Sequence, residues 1–163
     1  MNTEPLVKYF LLDVYQMHIN KKSTQGTKGK LAIAFADLLQ EVYAGSSRSL
    51  APWDVKRVVA MRARQFQGFA QHDSQEMLST LIDTLHEDLN KITNKPYVEY
   101  KDTDGRSDAD IASEYWQGYL KRESSIFFDL FNGQFRSRVQ CTRCSHYSLS
   151  FDTYNILQLP IPS

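Results

Sequence analysis

Only two cysteines occur among the 163 residues, and they stand together as Cys141 and Cys144. That scarcity excludes a disulfide framework and makes a reducing, intracellular compartment the default. Neither sign of charge is in excess, since 19 Lys and Arg balance 19 Asp and Glu. The chain therefore gives no electrostatic reason to expect nucleic acid or an anionic membrane as partner. No apolar run approaches the length that spans a bilayer. The amino-terminal stretch MNTEPLVKYFLLDVY is acidic and amphipathic, without a basic n-region or a small-residue cleavage site, and does not read as a signal peptide. Internal repeats and low-complexity tracts are lacking too. What is present is an ordinary globular composition, 42% hydrophobic and 23% charged, enough for one domain or a large piece of a bigger one.

The first part of the chain has helical spacing. Leu6, Phe10, Leu11 and Val14 share one face. From Lys28 to Ala44 the residues Leu31, Phe35, Leu38, Leu39 and Val42 follow the same period. Gly45 and the SSRS run after it signal a stop. Pro52 is placed to open a helix that carries Val55, Val58, Val59 and Met61. The strongest pattern is HDSQEMLSTLIDTLHEDLNKI, where Leu78, Leu81, Ile82, Leu85, Leu89 and Ile92 form a stripe. Asp73 followed by Glu76 is a D-x-x-E variant of the capping box, with Asp73 as cap and Glu76 folding back. NKPYVEYKDTDGRSDAD is rich in turn formers and reads as a loop. Ile111, Tyr115, Trp116, Tyr119 and Leu120 predict a further helix ending near Glu123.

The period then changes. After a short helical turn in FFDLF, Phe135, Ser137 and Val139 alternate with Gln134, Arg136, Arg138 and Gln140, as in a half-buried strand whose arginine face is solvated. Tyr147, Leu149 and Phe151 alternate likewise. Two strands thus flank CTRCSH and place the cysteine pair at a hairpin tip. Phe66, Phe69, Phe127, Phe128, Phe131 and Phe151 read as core rather than as a ligand platform.

The residues alone leave three readings of Cys141 and Cys144 open. A redox pair of the thioredoxin type places its attacking thiol at a helix N-terminus, and here a strand pattern follows instead. Two ordinary turn cysteines are the plain alternative. A zinc knuckle needs two further ligands; His146 is one candidate, and no local cluster supplies the other.

Three stretches together resemble the ubiquitin-specific proteases, papain-like cysteine proteases that remove ubiquitin from proteins. They are NTEPLVKYFL (Asn2 to Leu11), FQGFAQHDSQEMLSTLIDTLHEDLNK (Phe66 to Lys91) and FDLFNGQFRSRVQCTRCSHYSLSFDTYNILQLPIP (Phe128 to Pro162). The segment KPYVEYKDTDGRSDADIASEYW resembles the larger multidomain members. The resemblance implies an α+β fold, a partial papain-like deubiquitinase catalytic domain: the helical thumb over 1–123, then the first β-hairpin of the zinc-binding fingers over 124–163. It implies that Cys141 and Cys144 are one of two C-x-x-C pairs that hold a structural zinc in the intact domain, with no organic cofactor. It also implies ubiquitin and ubiquitinated proteins as partners, and neither nucleic acid nor membrane.

In that family the nucleophilic cysteine precedes the stretch matching NTEPL, and the general-base histidine lies far beyond LPIP. Neither box matches any residue here, and His18, His72, His86 and His146 lie in no stretch resembling the histidine box. Thiol catalysis needs a thiolate beside a histidine that a third group orients. The chain is therefore expected to be an internal piece of a hydrolase of isopeptide bonds at the ubiquitin C-terminus, inactive alone, with no catalytic residue of its own. Apolar surface left uncovered should make it prone to association. Asp73 and Glu76 match the family's acidic residues that meet the arginine-bearing tail of ubiquitin. A carboxylate suits that task because it can accept two parallel charge-assisted hydrogen bonds from a guanidinium. Gln71, His72 and Gln75 are expected to support the loop. The resemblance also offers the arginine face of the hairpin as a ubiquitin contact. Two other classes fit the residues: a non-catalytic ubiquitin-binding module, and a zinc-containing interaction domain unrelated to ubiquitin.

Overall fold

The computed structural model describes residues 3–45, 48–101 and 105–161. Parts of the SSRS run, of the 91–110 loop and of the terminal LPIPS segment lie outside these. The chain order is α1 (Glu4–Leu11), a 3-10 turn (Val14–His18), α2 (Lys30–Ala44), α3 (Trp53–Arg62), a 3-10 turn (Arg64–Phe66), α4 (Ser74–Leu89), α5 (Asp108–Leu120), α6 (Ile126–Phe131), β1 (Gly133–Gln140) and β2 (Tyr147–Tyr154). None of the described helices is long and apolar enough to cross a membrane.

The helices form where the apolar spacing predicts them, and local chemistry sets their ends. Gly45 closes α2 in the left-handed conformation, φ 62°, which costs a glycine nothing and other residues about 1 kcal/mol or more. Pro52 sits one residue before α3. Ser107 and Ser125 cap α5 and α6 through their side-chain oxygens, which accept from Asp110 N and Phe128 N.

The main core gathers Leu6 and Phe10 of α1, Leu31 and Phe35 of α2, Val55, Val58 and Val59 of α3, Phe66, Ile82, Leu85 and Leu89 of α4, and Phe127 of α6. Phe10 meets Phe35 and Phe127 edge-on, at 5.1 and 6.3 Å between ring centres. Each such side chain contributes about 1.5–3 kcal/mol on full burial. A second, smaller cluster joins Ile111 of α5 to Leu149 and Phe151 of β2. Trp116 of α5 against Phe128 of α6, 5.3 Å apart, adds a ring contact between those two helices.

The hairpin pairs antiparallel from Gly133↔Tyr154 to Gln140↔Tyr147, with Arg136 opposite Phe151 and Arg138 opposite Leu149. Residues directly opposite share a face. The alternation expected in β1 is therefore present but turned over. Gln134, Arg136 and Arg138 lie on the face that packs on α5, while Phe135 and Val139 face solvent, Val139 at 68% exposure. The reason is the chemistry of α5. Its acidic first turn supplies Asp108, whose Oδ2 lies 2.7 Å from Arg136 Nε, and its backbone supplies Ala112 O to Gln134 Nε2. The apolar part of that interface comes wholly from β2, and the arginine stems lie alongside it.

Three smaller expectations also fail. Phe69 is 87% exposed rather than core, and Leu78 and Met61 are exposed as well. Leu78 lies on the first exposed turns of α4, where no element of the described chain covers it.

Candidate functional site

Two places bring chemistry-bearing side chains to the surface, the start of α4 and the tip of the hairpin. At the first, Asp73 is the N-cap, with extended backbone and Oδ1 accepting from Gln75 N at 2.7 Å. Glu76 does not fold back onto the cap residue. Its Oε1 accepts from Gln65 Nε2 at 3.1 Å instead, so the expected capping box is only half made. The amide of Gln65 comes from the preceding 3-10 turn and draws the carboxylate sideways. Both acids are exposed, and among the described residues neither is in an ion pair. The N-terminal end of α4 also favours negative charge. The arrangement is thus a fixed pair of carboxylates one helical turn apart, with acceptor capacity open to solvent.

The loop that leads into this cap is shaped by aromatics. His72 meets buried Phe66 edge-on at 5.3 Å. Lys56 of α3 donates to Gly68 O and lies 4.2 Å from the exposed Phe69 ring. A groove of about 400 Å³ runs between α3 and this loop, with Trp53, Met61 and Phe69 on its walls. The functional reading of the sequence missed it, because exposed aromatics are indistinguishable by spacing from buried ones.

At the hairpin tip Cys141 and Cys144 are free and exposed. The turn is built so that Cys141 N donates to His146 O and Ser145 N donates to Cys141 O, with Ser145 in the left-handed region at φ 58°. The N–H groups of Cys144 and Arg143 point at Cys141 Sγ, and with the Cys144 thiol they hold Cys141 below the usual thiol pKa. A backbone that aims donors at one sulfur and sets a second beside it suits a thiolate–metal knuckle. Among the described residues no histidine or carboxylate joins the two thiols within ligand distance, so His146 is not a third donor in this geometry.

A buried polar network lies behind α4. His86 Nδ1 accepts from Ser125 Oγ at 2.7 Å, and His86 Nε2 donates to Glu123 Oε2 at 2.8 Å. The sequence Ser–His–Glu imitates a hydrolytic triad, but Ser125 is 1% exposed and its oxygen caps α6. It cannot reach a substrate. Glu87, Glu123 and His86 also bring three donor atoms together, yet the Lys95 ammonium already sits 2.8 Å from Glu87 and 3.0 Å from Glu123. Burial would raise the Glu123 pKa, but hydrogen bonds from His86 and Lys95 outweigh it and hold Glu123 below the ordinary value. Burial likewise opposes the Lys95 charge, and its bonds to Glu87 and Glu123 reverse that, holding Lys95 above its ordinary value. These bonds tie α4 to Lys95 and to the Glu123–Ser125 segment that leads into α6.

The chain matches the family model described as ubiquitin carboxyl-terminal hydrolase over residues 1–160. It is 46% identical over 161 residues to ubiquitin carboxyl-terminal hydrolase 32 of Homo sapiens, covering 99% of this chain and 10% of that protein. It is 47% identical over 161 residues to ubiquitin carboxyl-terminal hydrolase 8 of Arabidopsis thaliana, covering 99% of this chain and 18% of the relative. The likeness extends to ubiquitin carboxyl-terminal hydrolase 32 of Drosophila melanogaster, 46% identical over 161 residues, or 99% of this chain and 9% of the relative. The chain therefore spans between about a tenth and a fifth of the length of these relatives.

Proposed function

The chain belongs to the ubiquitin carboxyl-terminal hydrolase family, and from that premise we propose that it is the thumb (1–123) and the start of the fingers (124–163) of an intracellular thiol-dependent deubiquitinase. In this reading the intact enzyme hydrolyses the isopeptide bond after the C-terminus of ubiquitin. This segment contributes the recognition of ubiquitin rather than the bond-breaking groups. The observation that carries it is the pair Asp73 and Glu76: two exposed carboxylates, fixed at the start of α4 and in no ion pair among the described residues. They are oriented acceptors for the guanidinium groups of the ubiquitin tail. A charge-assisted hydrogen bond of this kind is worth about 1.5–3 kcal/mol, or about 10- to 100-fold in affinity.

Cys141 and Cys144 are assigned as two ligands of a structural zinc. The donor set fits half of a tetrahedral thiolate site, since both sulfurs are exposed on one tight turn. Zinc would cross-link the fingers and take no part in the hydrolysis. No thiol of these 163 residues lies elsewhere, so the segment by itself is proposed not to turn over substrate. The same fact favours a second reading, a non-catalytic ubiquitin-binding module.

The test is a titration of labelled ubiquitin with the purified chain. Resonances of the ubiquitin tail should shift with the native sequence, and the doubly substituted Asp73→Ala, Glu76→Ala protein should bind at least about tenfold more weakly. Ubiquitin with its tail arginines replaced by alanine should reproduce that loss. Equal binding by both chains would remove the carboxylates from the interface. Cleavage of a ubiquitin–fluorophore conjugate by the chain alone would refute its assignment as a recognition segment.

A further inference from the structure

We infer that Gln65 is a positioning residue: it holds the Glu76 carboxylate out of the capping box and presents it to the guanidinium-bearing partner. The role rests on the recognition reading proposed above, and adds to it the group that keeps one of the two carboxylates available.

Two donors compete for Glu76. Asp73 is the N-cap of α4 and Glu76 stands three residues on, so the local sequence offers Glu76 the Asp73 N–H and a closed capping box. There the carboxylate would turn back on the backbone of its own helix. In the structure its Oε1 instead accepts from Gln65 Nε2 at 3.1 Å. That donor belongs to the 3-10 turn Arg64–Phe66, and the turn is anchored. Phe66 N donates to Ala63 O at 3.1 Å and Gln67 N to Arg64 O at 3.0 Å, while the Phe66 side chain is part of the main core. The same ring meets His72 edge-on, immediately before the cap. One buried side chain thus sets the place of Gln65 on one side and of Asp73 on the other. Asp73 gives Oδ1 to Gln75 N and Glu76 gives Oε1 to Gln65. Each acid therefore has one oxygen engaged within the chain, and Asp73 Oδ2 and Glu76 Oε2 are left for a partner's N–H groups. Gln65 and Glu76 are both exposed, so their bond adds little to folding. Its effect falls on where the carboxylate points.

Gln65→Met keeps the length of the side chain and removes its donors. In the full chain its far-ultraviolet circular dichroism should match the native protein. Its affinity for ubiquitin should fall about three- to tenfold, the worth of one net hydrogen bond. Gln65→Glu, which sets a like charge beside Glu76, should lose at least as much. Two further readouts separate positioning from a structural role. In the unbound Gln65→Met chain the box should close, so the Asp73 amide resonance should move downfield and its exchange should slow, and adding Glu76→Ala should abolish both changes. In a Glu76→Ala background Gln65→Met should cost no affinity, because the residue acts only through that carboxylate. Native affinity for Gln65→Met, an unmoved Asp73 amide, or the same loss with and without Glu76 would overturn the role of Gln65 and leave the carboxylates in the interface. Native affinity for the doubly substituted Asp73→Ala, Glu76→Ala chain would instead overturn the recognition reading, and the role of Gln65 with it.

Discussion

Replacing Asp88 by alanine should destabilise the fold more than any exposed substitution in the chain. The first turn of α2 has no side-chain cap of its own, because Gly29 occupies that position. Asp88, fully buried in α4, supplies one from another helix. Its Oδ2 accepts from Leu31 N at 3.1 Å and Ala32 N at 3.4 Å, and from Thr27 Oγ1, while Oδ1 accepts from Thr27 N. The carboxylate thus answers the orphan N–H groups and the positive end of α2 together. Leu31 N keeps a second acceptor, Thr27 Oγ1 at 2.9 Å, so the alanine variant strands two amides, Thr27 N and Ala32 N. Each costs about 1–3 kcal/mol when buried unpaired, and water entering beside half-buried Thr27 repays part. A net loss of about 3 kcal/mol follows, a large share of the 5–15 kcal/mol typical of a whole domain. Urea unfolding should show this as a lower midpoint at unchanged slope. Native-state exchange should show the Leu31 and Ala32 amides opening ahead of the core. Asp88→Asn keeps one acceptor oxygen and should cost about half as much. A loss below about 1 kcal/mol for Asp88→Ala, with those amides still protected, would refute the cross-helix cap.

Glu123 gives a pH prediction. Its carboxyl is held below the ordinary value in the folded chain, so its contribution is fully present above the unfolded carboxylate pKa of about 4.3 and is lost as pH falls through the folded one. Glu123→Gln should therefore flatten the acid limb of a plot of urea midpoint against pH below about 4.3; parallel limbs would show that the network does not couple to folding. Lys95 has the opposite sign: held above its ordinary value, it stabilises below that value and loses the effect as pH rises through the folded one. Phe151→Ala should cost about 3–5 kcal/mol and raise amide exchange across Gly133–Gln140 and Tyr147–Tyr154 first, since Ile111, Leu149 and Phe151 are the buried centre of that cluster; uniform exchange across the whole chain would contradict a separate hairpin cluster.

The run of apolar residues fixes which stretches are helical, because a helix stripe is a local property of 3.6-residue spacing. Leu85 and Leu89 are in the core and Gly45 ends α2, as their positions imply. The placement of Cys141 and Cys144 at the hairpin tip and the N-cap role of Asp73 were equally legible, since a tight turn and an N-cap are written in a few neighbouring residues. Tertiary structure decided everything that depends on what lies opposite. It set Arg136, which stays exposed, on the face of β1 shared with Phe151, where Asp108 of α5 meets it. It drew Glu76 to Gln65, eleven residues back, and away from the cap. It bound Asp88 to the start of α2 across more than fifty residues of chain. Periodicity sorts the side chains of an element into two faces. Which face is buried, and which polar group a buried charge will meet, depends on the partner element, and no local pattern carries that information.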